Sequence, residues 1–255
     1  MPANMSWPRK YDLFGVRISA TTYDEAEQAI IQAARQRAAA TVTHLPVAGV
    51  VSAAMNAAYR RQIDALDIVA PDGQPVRWAL NRFHAAGLKD RCYGPEMMLR
   101  LCRRAAEERI GVYLYGSTPE VSRRLRANLL DRCPGLIIAG HESPPFRALS
   151  PEEDEAMVRR INESGAALVF VGLGCPKQDV FAYEHRHRIR AVQMCVGAAF
   201  DFLAGTKKMA PSWMQRSGLE WLFRLCQEPA RLLDRYLRNN TIFMWLVARR
   251  MLFGR

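Results

Sequence analysis

Six short apolar runs, rich in β-branched residues, recur along this chain at 40–42, 66–69, 112–115, 136–139, 167–171 and 191–196, and each gives way to a turn signal and then a helix-like segment. Strands that alternate with helices predict an α/β fold, with a mostly parallel, Rossmann-like sheet flanked by helices on both faces. The helix starts are legible too. Thr22 followed by Glu25 reads as a capping box opening a helix over 24–38. Ser117 with Glu120 reads as a second, with Pro119 near the first helical position, where its missing N–H is not needed. The acidic run from Pro151 to Glu155 marks a third start, where the positive end of the peptide dipoles favours carboxylates.

A composition shift near Gly205 divides the chain into an α/β body, 1–205, and an appendage, 206–255. Beyond the shift come Trp213, Trp221, Trp245, many arginines and no further glycine-punctuated strand. These features predict helices, broken at Glu228-Pro229 because proline fits a first helical turn and disrupts an interior. Leu232, Leu233, Tyr236 and Leu237 fall on one face of the last helix, and Arg231, Asp234, Arg235 and Arg238 on the other. The formal net charge of +11 is concentrated here, since ten Lys/Arg against three acids give 206–255 a surplus of +7. A basic amphipathic tail suits phosphates of nucleic acid, anionic lipid or a diphosphate substrate, and charge alone does not choose among them. The six cysteines are dispersed, with no C-x-x-C pair and no zinc-like spacing with His, and the opening residues lack an apolar signal region. Both points predict reduced thiols in a cytoplasmic setting. No run approaches the roughly 20 apolar residues of a membrane span.

Ligands of open α/β sheets bind beyond the carboxyl ends of the strands, so the turns after these runs are where chemistry is sought. Pro71-Asp72-Gly73 follows the second run. A carboxylate on rigid backbone there suits a general base, although the same tripeptide also serves as a plain turn. The segment from Gly172 through Gly174, Lys177 and Gln178 to Asp179 follows the fifth run, and its glycines let backbone amides approach a phosphate at a helix start. Lys177 stands where a dinucleotide fingerprint needs its third glycine, and there is no P-loop. Gly116-Ser117 offers similar contacts after the third run. Small residues around Asp201 follow the sixth, suited to close backbone packing. Thr43 and His44 close the first run. His185 and His187 fall on different sides of a helix, and no Asp-x-Asp follows a strand to hold Mg²⁺. The expectation is a metal-independent site without a cofactor, in which cationic side chains balance leaving-group charge.

Taken together, Pro71-Asp72-Gly73, Arg91-Cys92-Tyr93-Gly94, Tyr115-Gly116-Ser117, the 172–179 segment, 197–201, and 218–224 with Glu228-Pro229-Ala230-Arg231 follow one another in an order that resembles the WecG/TagA/CpsF family of bacterial glycosyltransferases over roughly the whole chain. The resemblance implies inverting transfer of a ManNAc, ManNAcA or glucose-type sugar from a UDP-sugar to a polyprenyl-diphosphate-linked acceptor, in cell-surface or secreted polysaccharide biosynthesis. It also implies peripheral attachment to the inner face of the bacterial cytoplasmic membrane. It casts Asp72 as the base, Thr43 on the acceptor side, and Gly116, Ser117, Gly174, Lys177 and Gln178 near the nucleotide-sugar. Arg224, Arg231 and Arg235 would reach the diphosphate. Three departures bear on specificity: Leu45 where the family carries Asn, Met209 where it carries Arg before Ala-Pro, and Asp179 in place of Glu.

Two other readings compete. One is a nucleotide- or nucleic-acid-binding α/β module that grips its partner with the basic tail, and it leaves the glycine-rich strand ends unexplained. The other is a nucleotide-dependent oxidoreductase, which lacks the dinucleotide fingerprint. The family reading expects no nucleic-acid partner and leaves self-association open.

Overall fold

The computed structural model describes residues 6–254; residues 1–5, which belong to the stretch read for an export signal, and residue 255 lie outside the described residues. An antiparallel hairpin, β1 (Lys10–Leu13) and β2 (Val16–Ser19), opens the chain. The six expected strands follow as β3 (Ala40–Leu45), β4 (Ile68–Pro71), β5 (Val112–Gly116), β6 (Ile138–Glu142), β7 (Leu168–Gly172) and β8 (Val192–Cys195). They form one parallel sheet in the order β4-β3-β8-β7-β5-β6. The hairpin was not anticipated, because two strands of four residues give too few alternations to register as a pattern.

Alternation along each strand explains the layers. In β7, Leu168 and Phe170 join the core with α1 (Tyr23–Arg35), α5 (Gly94–Glu107), α6 (Pro119–Arg132) and α9 (Ala199–Leu203). Val169 and Val171 point the opposite way, toward α7 (Pro151–Glu163) and α8 (Lys177–His185). That second face also carries α2 (Val47–Met55), α3 (Ala57–Asp64) and α4 (Gln74–His84), packed with the hairpin. Phe170 is fully buried, so its truncation to Ala is expected to cost about 3–5 kcal/mol.

The capping box at Thr22 and Glu25 forms as read, although the helix runs over Tyr23–Arg35 rather than 24–38. A capping box also opens α7 from Ser150 to Glu153. The second expected box is displaced. Ser117 lies in a left-handed bend just past the strand, with a φ of 61°, and donates its N–H to the Gly172 carbonyl at 3.2 Å, so Thr118 becomes the cap, accepting from the Val121 N–H. Pro119 still occupies the first turn of α6.

The appendage forms α10 (Ser212–Arg216), α11 (Glu220–Gln227) and α12 (Pro229–Phe253), with the break at Glu228-Pro229 where proline places it. The two-faced reading of α12 needs correction. Leu232, Phe243 and Leu246 are buried, whereas Leu233 and Leu237 are 49% and 62% exposed. Only one edge of this long helix lies on α2 and the hairpin, where Phe243 meets Phe14 edge-on at 5.6 Å and Arg250 donates to the Asp12 carbonyl at 2.9 Å. Its apolar residues therefore split between a docked edge and an open one. Among the described residues no helix is long and apolar enough to cross a membrane.

Candidate active site

Asp72 is fixed from both sides as the chain leaves β4. Its N–H donates to the Leu45 carbonyl at 3.2 Å, and the Pro71 carbonyl accepts from the Cys92 N–H at 2.9 Å. Gly73, with a φ of 99° that an L side chain rarely adopts, then turns the chain into α4 and takes the cap position itself, with no side-chain cap bond. The Asp72 carboxylate is thus not consumed by its own turn. It faces a cavity of about 330 Å³ between the start of α2, the Asp72 turn, Arg91, Tyr93 and the appendage helices α11 and α12.

The nearest cation is Arg91, whose Nη1 lies 3.8 Å from Asp72 Oδ1. Burial disfavours the charged carboxylate and pushes the pKa of Asp72 up to about 6; Arg91 opposes the rise, Glu220 adds to it and Arg224 opposes it. Arg91 itself is held elsewhere. Its Nη2 donates to Glu220 Oε2 at 2.5 Å and to Gln215 Oε1 at 3.2 Å, and its guanidinium lies over the Tyr93 ring at 4.1 Å. The Tyr93 hydroxyl donates to the second Glu220 oxygen at 3.0 Å.

The cavity wall has two chemistries. Arg224 and Arg235 bring positive charge, and Asn239 and Asn240 bring amides; Val47, Trp221, Leu232, Phe243 and Met244 are apolar. A pocket of this size with a few convergent polar groups is typical of small-ligand sites. Arg231 is not part of the wall, because its guanidinium pairs with Glu228 one turn back.

The remaining sequence candidates lie elsewhere. Thr43 is fully buried beneath α3 and α8, where its hydroxyl donates to Asp179 Oδ1 at 2.5 Å while Tyr59 donates to Asp179 Oδ2 at 2.7 Å. Burial raises the pKa of Asp179, and the bonds from Thr43, Tyr59 and Cys175 oppose that rise. The departure to Asp at this position thus meets a tyrosine hydroxyl that supplies a second donor. Leu45, the second departure, is a fully buried core residue, and Met209, the third, is partly exposed. Gln178 is 4% exposed, and its Oε1 has no partner. Lys177 is exposed at the start of α8.

Gly116, Ser117, Gly174, Lys177 and Gln178 stand at the ends of β5 and β7, and none lines the cavity. With strands about 4.8 Å apart, β7 lies roughly 14 Å along the sheet edge from β4. Gly116 is also required for packing: a Cβ there would lie 2.6 Å from the Gly172 carbonyl carbon.

His44 is 5% exposed, bonds through Nδ1 to the Cys195 carbonyl at 3.2 Å, and is held neutral by burial, with its pKa pushed down to about 4. His185 is tied to Asp154 at 2.8 Å, a structural role. Among the described residues no group of three or more His, Cys, Asp or Glu side chains is arranged to hold a metal ion.

The model of the Glycosyl transferase WecG/TagA/CpsF family matches residues 11–255, nearly the whole chain. The chain belongs to this family. It is accordingly a glycosyltransferase of cell-surface polysaccharide synthesis, a class that works with a nucleotide-sugar donor and a lipid-linked acceptor. The match spans both the β4 turn that carries Asp72 and the helices that close over it. What reading the sequence missed is the role of Arg91, Tyr93 and Glu220. Their motifs were visible, but an ion pair between residues 129 positions apart leaves no local pattern.

Proposed function

We propose that the protein is an inverting, UDP-sugar-dependent glycosyltransferase that passes a ManNAc, ManNAcA or glucose-type sugar to a polyprenyl-diphosphate-linked acceptor at a membrane surface. The observation that carries this reading is the Asp72 carboxylate, free of its own turn and facing a cavity walled by Arg224 and Arg235. A base titrating near about 6 is ionised at neutral pH yet basic enough to accept a proton as an oxygen nucleophile forms.

In the proposed step Asp72 takes the proton of the acceptor hydroxyl while that oxygen attacks the anomeric carbon. The bond from that carbon to the UDP oxygen breaks, and UDP leaves with the electron pair. Arg224 and Arg235 offset the charge that grows on the diphosphate. A single displacement inverts the anomeric centre. The other carboxylate of the cavity, Glu220, is engaged by Arg91 and Tyr93, which favours Asp72 as the base.

The acceptor side is supported by the open edge of α12. Leu237, Met244 and Trp245 are 62%, 64% and 54% exposed, and Met244 also lines the cavity. Arg238 and Arg249 lie on the same helix. An apolar edge flanked by arginines suits the interface of an anionic bilayer, and a lipid-linked acceptor would reach the cavity from that side. A UDP-sugar panel offered with synthetic polyprenyl-diphosphate acceptors, read by UDP release and product mass, tests the reading. Product one sugar heavier and of inverted configuration is expected; no UDP release with any donor, or retained configuration, would overturn it.

A further inference from the structure

Arg91 stands between two carboxylates and is committed to one. Its Nη2 is 2.5 Å from Glu220, whereas its Nη1 is 3.8 Å from Asp72, beyond hydrogen-bond reach. Three contacts hold that choice: the bond to Gln215, the Tyr93 ring beneath the guanidinium, and the Tyr93 hydroxyl on the far oxygen of Glu220. Arg91 and Glu220 are only 7% and 8% exposed, so a substrate could not easily displace either. Glu220 opens α11 in the appendage, and Arg91 belongs to the body, so the pair exists only while the two are docked.

We infer that Glu220 is a positioning residue for the base: it draws the Arg91 guanidinium off Asp72, so that docking of the appendage leaves the Asp72 carboxylate without a charged hydrogen bond from Arg91 and free to accept a proton. This rests on the reading of Asp72 as the base. The displacement at stake is about 1 Å, the difference between the observed separation and a direct charged hydrogen bond. Without the Glu220 charge the guanidinium has one carboxylate left, and it closes on Asp72.

The groups around Asp72 set the direction. Arg91, Cys92 and Tyr93 face it from the segment before α5, Tyr23 from α1, and Glu220 and Arg224 from α11; Arg235 and Tyr236 of α12 line the same cavity. The start of α2 contributes no titratable group there. Glu220 is the single acidic neighbour that raises the pKa of Asp72. Removing its charge and releasing Arg91 both lower that pKa, so the acidic limb of the kcat/KM profile moves to lower pH.

The test uses the full-length wild type, Glu220→Gln, which keeps the shape and loses the charge, and Glu220→Asp, which keeps the charge. The Asp72 carboxyl is titrated by ¹³C NMR, assigned with Asp72→Asn, alongside pH profiles of UDP release. Glu220→Gln is expected to lower the Asp72 titration by about one unit or more. Its kcat/KM at neutral pH is expected to fall roughly tenfold, since a paired carboxylate is a weaker base. Glu220→Asp is expected to restore most of both. An unmoved Asp72 titration in folded Glu220→Gln overturns the inference, as does a wild-type Asp72 that titrates below the ordinary carboxylate range, a result that needs no variant. A shifted titration in a protein that turns over no UDP-sugar would sink the transfer reading and sustain the link between Glu220 and Asp72.

Discussion

Replacing Asp72 with Asn is expected to make the folded protein more stable at neutral pH while removing the proposed base. The folded site raises the pKa of Asp72 from 3.8 to about 6, chiefly by burial. The folded state therefore holds the proton more tightly than the unfolded chain, and ionisation in the folded state is penalised. The penalty is absent below the unfolded pKa, grows through the window from 3.8 to about 6, and is constant above it. Roughly two units at about 1.36 kcal/mol each give about 3 kcal/mol. The side chain is 20% exposed to the cavity, so solvent screening brings the expectation to about 1–3 kcal/mol. Asn has the shape of the protonated carboxyl and never ionises, so the variant recovers this amount. Thermal melts followed by circular dichroism are expected to show a Tm higher by a few degrees at about pH 8, with the gain shrinking to about half near pH 5. An equal or lower Tm for Asp72→Asn at about pH 8, or a gain that grows as pH falls, would show a well-paired carboxylate and refute the burial argument.

Arg224→Ala is expected to lower kcat/KM about 100-fold, through lost stabilisation of the leaving diphosphate, and to raise the pH of the acidic limb because Arg224 lowers the pKa of Asp72. Steady-state UDP release across pH reads both effects. Leu237→Glu combined with Trp245→Glu is expected to abolish cosedimentation with anionic phospholipid vesicles without changing the melt, because both side chains are more than half exposed; full retention on vesicles would rule out this edge of α12 as the membrane contact. Gly116→Ala is expected to destabilise by about 2 kcal/mol or more in urea titrations, since the new Cβ would meet backbone at 2.6 Å at a φ of 132°.

The sheet was legible because each of its strands is a local event. Runs such as 167–171 carry their β-branched content and their turn signal within a few residues, and all six reappear in the parallel sheet. Local chemistry also marked the break at Glu228-Pro229 and the box at Thr22 and Glu25. Sequence periodicity could not say which edge of α12 docks. Leu232 and Leu233 are equally apolar, and only the position of α2 and the hairpin buries one and exposes the other. The same limit applies to the site. Asp72 is a candidate because its turn closes a strand within an ordered set of local motifs, whereas the commitment of Arg91 to Glu220 depends on the path of the appendage across the body. Thr43, which the family resemblance places on the acceptor side, donates its hydroxyl to Asp179, a partner 136 positions away that no local pattern reveals.

The central claim is that Asp72 is the base of a sugar transfer from UDP. Its most direct test compares wild type with Asp72→Asn in turnover of a UDP-sugar onto a polyprenyl-diphosphate acceptor, with UDP binding measured on the same samples. The account expects turnover to fall about 100-fold or more while the variant stays folded and binds UDP as the wild type does. Near-normal turnover by Asp72→Asn would contradict it.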